Sequence, residues 1–115
     1  MLQDGLIVEV PQWEVVIKSI AKDITEEQSP ARLLKVREKM YELLGHCIPA
    51  ELILRMLTIE LLPKLDAELK QEVVEWASFY EHRVQTGSKA IFHLEAFVAK
   101  VMCIHKKFLI SLFGY

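Results

Sequence analysis

Residues Tyr80–Met102 read YEHRVQTGSKAIFHLEAFVAKVM, and the fold turns on how this stretch is understood. Two helical patterns meet at Gly87, and Tyr, His, Glu, Arg and Lys crowd both sides of it. A catalytic site is therefore the first reading to test. His93 and Glu95 stand at i and i+2, as do Tyr80 and His82. Residues so spaced on a helix point about 200° apart, so neither pair converges on one reacting atom. Tyr80 with Arg83 (i, i+3) and Glu81 with Gln85 (i, i+4) are ordinary pairings of a helix surface. Gly87-Ser88-Lys89 echoes the end of a phosphate loop, but it lacks the upstream glycine and follows a helix where a strand is needed. The stretch predicts a joint between packed helices, with Gly87 as the stop and Ser88 as the cap of the next helix.

Working outward, the helix after the joint runs to about Phe113, a length of about 38 Å at 1.5 Å per residue. A compact domain of this size has a radius of gyration near 13 Å and a diameter in the mid-thirties, so this helix is as long as the domain is wide. Ile91, Leu94, Val98, Met102, His105 and Leu109 form one stripe, and Phe92, Ala96, Ala99, Cys103 and Ile110 give a second apolar side. The helix before the joint is capped by Asp66 and carries Leu69, Val73, Trp76, Ala77, Tyr80 and Val84 on one face.

Toward the N-terminus the same period recurs. Trp13, Val16, Ile17, Ile20 and Ile24 mark a first helix opening near Pro11, with Lys18, Lys22, Asp23, Glu26 and Glu27 on its wet side. Ser29-Pro30 reads as the N-cap and first residue of a second helix, whose buried face is Leu33, Val36, Met40, Leu43 and Leu44. Arg37, Glu38 and Glu42 are expected outside, and Gly45 is expected to end the helix in the left-handed region. The third helix opens at Pro49 and ends at Pro63. After Glu51 it carries only two charged residues, Arg55 and Glu60, so it is apolar nearly all round.

The sum is a single all-α domain of about five helices over residues 11–115, preceded by a lead or linker remnant over residues 1–10. Its apolar share is 52% in 115 residues, and the third and fifth helices have more apolar surface than one small core hides. At roughly 25 cal/mol per Å², an exposed side of either helix favours burial by several kcal/mol, so a partner surface is expected.

Composition narrows the chemistry. Net charge is −2, which gives the molecule as a whole no electrostatic reason to seek a polyanion. Two cysteines, Cys47 and Cys103, make no disulfide framework and suit a reducing compartment. No basic stretch precedes an apolar one at the start, and no apolar run reaches membrane-spanning length. A soluble intracellular domain with no membrane partner is expected. His46-Cys47 and Cys103-x-His105 lack the spacing that brings side chains to one ion, so neither a metal nor another cofactor is expected. Lys100, Lys106 and Lys107 form a small basic patch. It supports a second reading, a helical nucleic-acid-binding module, although cations near a helix C-terminus are favoured by the dipole alone.

One resemblance is specific. Tyr80-Glu81-His82-Arg83, Gly87-Ser88-Lys89-Ala90-Ile91 and His93-Leu94-Glu95-Ala96-Phe97-Val98-Ala99-Lys100 closely resemble the C-terminal collar domain of replication factor C small subunits, subunit 3 type. Trp13-Glu14-Val15, Ser29-Pro30-Ala31-Arg32-Leu33-Leu34, Tyr41-Glu42-Leu43-Leu44 and His46-Cys47-Ile48-Pro49 are similar as well. The resemblance covers roughly residues 10–108, and Leu109–Tyr115 departs from it.

The resemblance implies a non-catalytic oligomerisation domain. In that family the helical domain joins four others in a collar, while a separate AAA+ portion carries the phosphate loop, the Walker B acid and the arginine finger. The implied partners are other replication factor C subunits. The sliding clamp and DNA are met only through the full complex, and the setting is the nucleus. Because the chain opens at Met1 in what would be mid-protein, a shortened form without ATPase activity is expected. The expected subunit-interface residues are Tyr80, Arg83, Lys89, Phe92, His93, Glu95, Phe97 and Lys100.

Overall fold

Five helices follow from local chemistry that is plain at their ends. The structure, a computed structural model, describes residues 12–86 and 89–113. Helix α1 is Gln12–Glu26, α2 is Pro30–Gly45, α3 is Ala50–Leu61, α4 is Ala67–Gln85 and α5 is Ala90–Phe113, with a 3-10 turn at Leu62–Lys64. No strand occurs among the described residues. The lead, the start at Pro11, the stop at Gly87 and the cap at Ser88 lie outside them.

Ser29 caps α2: its hydroxyl accepts from the Arg32 backbone N–H at 3.1 Å, with Pro30 as the first helical residue. Asp66 does the same for α4, accepting from the Glu68 backbone N–H at 3.2 Å. The other end of α2 corrects the expectation for Gly45. The helix continues through Gly45, and the left-handed residue is Cys47, with φ of 65°. The Ile48 N–H reaches the Leu43 carbonyl at 3.2 Å and the Cys47 N–H reaches the Leu44 carbonyl at 3.0 Å. These two bonds make a Schellman motif with Cys47 at the position glycine usually takes.

One core unites the helices. Ile17, Ile20 and Ile24 of α1, Val36 and Met40 of α2, Ile53 and Leu57 of α3, Val73 of α4, and Leu94, Phe97 and Val101 of α5 are all buried. The apolar girth of α3 has a different explanation from the one expected. α3 packs against α1, α4 and α5 together, so its surface is used inside the domain; Ile59 is the large apolar residue it leaves exposed. α3 thus spends most of its apolar surface inside the domain, whereas α5 keeps an exposed apolar side.

The wet side of α1 needs a correction too. Asp23 is only 6% exposed. It precedes Ile24 on the border facing α2, where Lys39 meets it at 2.5 Å and Arg32 at 3.4 Å. Arg32 also holds Glu26 and Glu27, each at 3.2 Å. Two cations from α2 replace the water that the carboxylate loses. The domain is longer than a sphere of its mass, with a radius of gyration of 15.1 Å and extents of 57 × 30 × 26 Å. The last turn of α5 contributes to this length, its Leu112 and Phe113 standing in solvent.

Candidate assembly surface

Helix α5 has two apolar sides, and the core covers only one. Ile91, Leu94, Phe97, Val98, Val101 and Met102 point inward and are buried. Phe92, Ala96, Ala99, Cys103 and Ile110 fall at i, i+4, i+7, i+11 and i+18, one stripe on the opposite side. Phe92 is 55% exposed and Ile110 40%, with Cys103 exposed between them. Small residues in the middle and large ones toward the ends leave a shallow trough in which another helix can lie.

The surface continues onto α2 through one ion pair. The Arg37 guanidinium meets Glu95 of α5 at 3.5 Å and lies 5.8 Å from the centre of the Tyr41 ring. On the same side of α2, Leu34 is 56% and Tyr41 49% exposed. Arg37, expected in solvent, is thus half-buried and joins two helices. Spacing alone does not mark Leu34 and Tyr41, because they lie off the core stripe and form a patch only where no described element covers them.

On α4 an aromatic cluster faces outward. Trp76 stacks on Tyr80 at 5.9 Å, Phe79 sets its edge against both, and Tyr80 meets Phe97 edge-on at 6.3 Å. Lys100 of α5 lies 4.4 Å from the Trp76 ring centre, and Arg83 lies 5.5 Å from that of Phe79. Phe79 is 45% exposed. It was not predicted, although its place three residues after Trp76 and four before Arg83 was a usable signal.

The predicted interface residues separate into groups. Arg83, Lys89 and Phe92 are exposed, with the Lys89 ammonium 5.7 Å from the Phe92 ring. Tyr80, His93 and Lys100 are half-buried. Glu95 is engaged with Arg37. Phe97 needs correction: at 0% exposure it is closed in by its own domain and touches no partner directly. Its i+3 step from Leu94 carries it to the core face. Of the basic residues, Lys106 and Lys107 are exposed, whereas Lys100 is committed to Trp76.

Among the described residues no three His, Cys, Asp or Glu side chains come together as a metal site would require. Cys47 and Cys103 are unpaired, and no described helix is long and apolar enough to cross a membrane. Burial holds the His105 pKa below the ordinary histidine value, and its Nδ1 has no hydrogen-bond partner among the described residues.

The geometry defines an all-helical packing module with an open apolar side. The family described as "Replication factor C subunit 3, C-terminal domain" matches residues 13–109, and the chain belongs to that family. Replication factor C subunit 5 of Oryza sativa subsp. japonica is 61% identical over 102 residues, covering 89% of this chain and 29% of that protein. Replication factor C subunit 3 of Homo sapiens is 54% identical over 103 residues, covering 88% and 29%. Replication factor C subunit 5 of Neurospora crassa is 54% identical over 109 residues, covering 95% and 31%. The chain thus spans less than a third of the length of these curated relatives.

Proposed function

We propose that this chain is a subunit-assembly domain of a clamp loader, working in the nucleus. It packs with the C-terminal domains of other replication factor C subunits in a collar. The collar holds the pentamer that places the sliding clamp on primer-template DNA, and clamp and DNA are met through that complex. The domain is non-catalytic: its side chains bind neighbours, and ATP turnover belongs to AAA+ portions of the assembly.

The observation that carries this reading is the uncovered apolar stripe Phe92–Ala96–Ala99–Cys103–Ile110 on α5, continued by Leu34 and Tyr41 on α2. A lone monomer has no use for so extended an apolar side. Family membership supplies the kind of neighbour. Co-expression of the chain with replication factor C small subunits, followed by affinity capture, tests it. Capture of those subunits is expected, and a stable monomer that captures none overturns the reading.

Lys106 and Lys107 are exposed and meet no carboxylate among the described residues. That observation favours a second reading, direct nucleic-acid binding. Two phosphate contacts give a salt slope of only about −2. Lys106→Glu with Lys107→Glu removes that slope if the second reading holds and changes nothing if it does not.

A further inference from the structure

Between the α1–α2 turn and α5 lies a groove of about 330 Å³. Pro30 and Leu33 of α2 form one wall, and Ala99, Met102 and Cys103 of α5 form the other. The lining is almost wholly apolar. Its size is at the small end of the range for ligand pockets, about 300–1,000 Å³, and suits a bulky side chain rather than a cofactor. Charge appears only at the rim, and there it is positive. Lys106 and Lys107 border the groove without a carboxylate within ion-pair distance among the described residues. The acids at the turn, Glu26 and Glu27, are already paired: Arg32 meets each at 3.2 Å, and Lys22 meets Glu26 at 3.8 Å. In a molecule of net charge −2, an apolar slot with an unmatched positive edge runs against the average.

We infer that this groove receives an acidic amphipathic helix of a neighbouring subunit, an apolar side chain seated between Leu33 and Ala99 and carboxylates paired with Lys106 and Lys107. The inference rests on the assembly reading for the source of that helix and adds its chemistry. The walls of Pro30, Leu33, Ala99 and Met102 offer phosphates and bases no partner, and polar groups enter only from Gln28 and Ser29 at the turn and from the rim lysines, which favours an apolar side chain over nucleic acid here. A helix laid along α5 places its apolar residues at i, i+3, i+4 and i+7 in the trough and its carboxylates one turn away, within reach of the lysines.

Cys103 in the wall and Cys47 in the distant α2–α3 turn are both exposed, so the chain carries its own reporter and its own control. The probe is a synthetic peptide of about four helical turns, with Leu and Phe on one face and Glu elsewhere. Its isomer with Lys for every Glu and a short DNA duplex are the comparisons. With the acidic peptide at ten times its Kd, maleimide alkylation of Cys103 slows roughly tenfold while Cys47 is unaffected. Lys106→Glu with Lys107→Glu abolishes the protection, and Ala99→Trp, which fills the groove, does so with the lysines intact. An unchanged thermal transition shows that each variant is folded.

Unprotected Cys103, equal protection by the lysine isomer, or protection by duplex rather than peptide overturns the inference. The same labelling with co-expressed subunits separates it from the assembly reading. Subunits that bind while Cys103 stays reactive sink the inference alone. Peptide protection with no subunit bound sinks the assembly reading and the proposed source of the helix.

Discussion

The Lys100 ammonium lies 4.4 Å from the centre of the Trp76 ring, joining α5 to α4 at the outer edge of the core. A cation over an indole face is worth about 0.5–1 kcal/mol at a partly exposed site. The contact also withdraws from the basic patch the lysine that stands a turn and a half ahead of Lys106. What looks in sequence like three cations for a phosphate backbone is two, with the third holding helices together.

Lys100→Gln is therefore expected to lower stability by about 0.5–1 kcal/mol, with Lys100→Arg recovering most of it. Urea unfolding checks this. Equal loss in both variants contradicts the contact, because both keep a long polar side chain there.

Asp23 is the buried charge on which the α1–α2 pair depends. Asp23→Asn leaves Lys39 and Arg32 facing an amide, and breaking such a pair from one side costs about 3 kcal/mol. Lys39→Met is milder, since Arg32 still serves the carboxylate. Thermal melts of both variants test the order as well as the size.

Cys47 bears a side chain in a backbone region where L-residues pay roughly 1 kcal/mol or more. Cys47→Gly is expected to stabilise the domain by about 0.5–1 kcal/mol, raising Tm by a few degrees. Gly45→Ala should be tolerated and slightly favourable, because Gly45 is helical and nothing lies within 4 Å of an added Cβ. A loss of stability in Cys47→Gly would contradict the Schellman assignment.

His105 gives the fold a pH dependence of known sign. Burial favours its neutral form, so its pKa is lower in the folded chain than in the unfolded one. The unfolded chain then binds the extra proton first as pH falls. Stability from this group is complete above the ordinary histidine value of about 6.5 and is lost as pH falls below it toward the depressed folded value. His105→Leu should flatten the stability profile between about pH 7 and pH 5 relative to the parent chain. Parallel profiles for the two proteins would refute the assignment.

The caps of α2 and α4 were legible in the sequence because Ser29 and Asp66 act on N–H groups two or three residues away. The core stripes were legible for the same reason, since a helix turns through a fixed angle per residue. Asp23 and Arg37 were not, for their burial depends on which helix lies opposite. The end of α2 is not legible, because Gly45 has the right chemistry for a left-handed residue, yet the chain makes that turn two positions later at Cys47. The girth of α3 is legible but its use is not: an all-round apolar helix is either central or partnered, and the packing of α1, α4 and α5 around it appears only in the fold. For the candidate surface, spacing revealed the α5 stripe. Leu34, Tyr41 and Phe79 join it because no element among the described residues covers them.

The central claim is that the outward side of α5 binds other subunits. The most direct measurement is sedimentation velocity of this chain mixed with replication factor C small subunits, comparing the parent with Phe92→Glu and Ala99→Glu. Both substitutions face away from the core, so the fold is expected to survive them. A faster co-sedimenting species for the parent, lost with either variant while its thermal transition is unchanged, is the predicted result. Co-sedimentation that persists undiminished with both glutamates in place would contradict it.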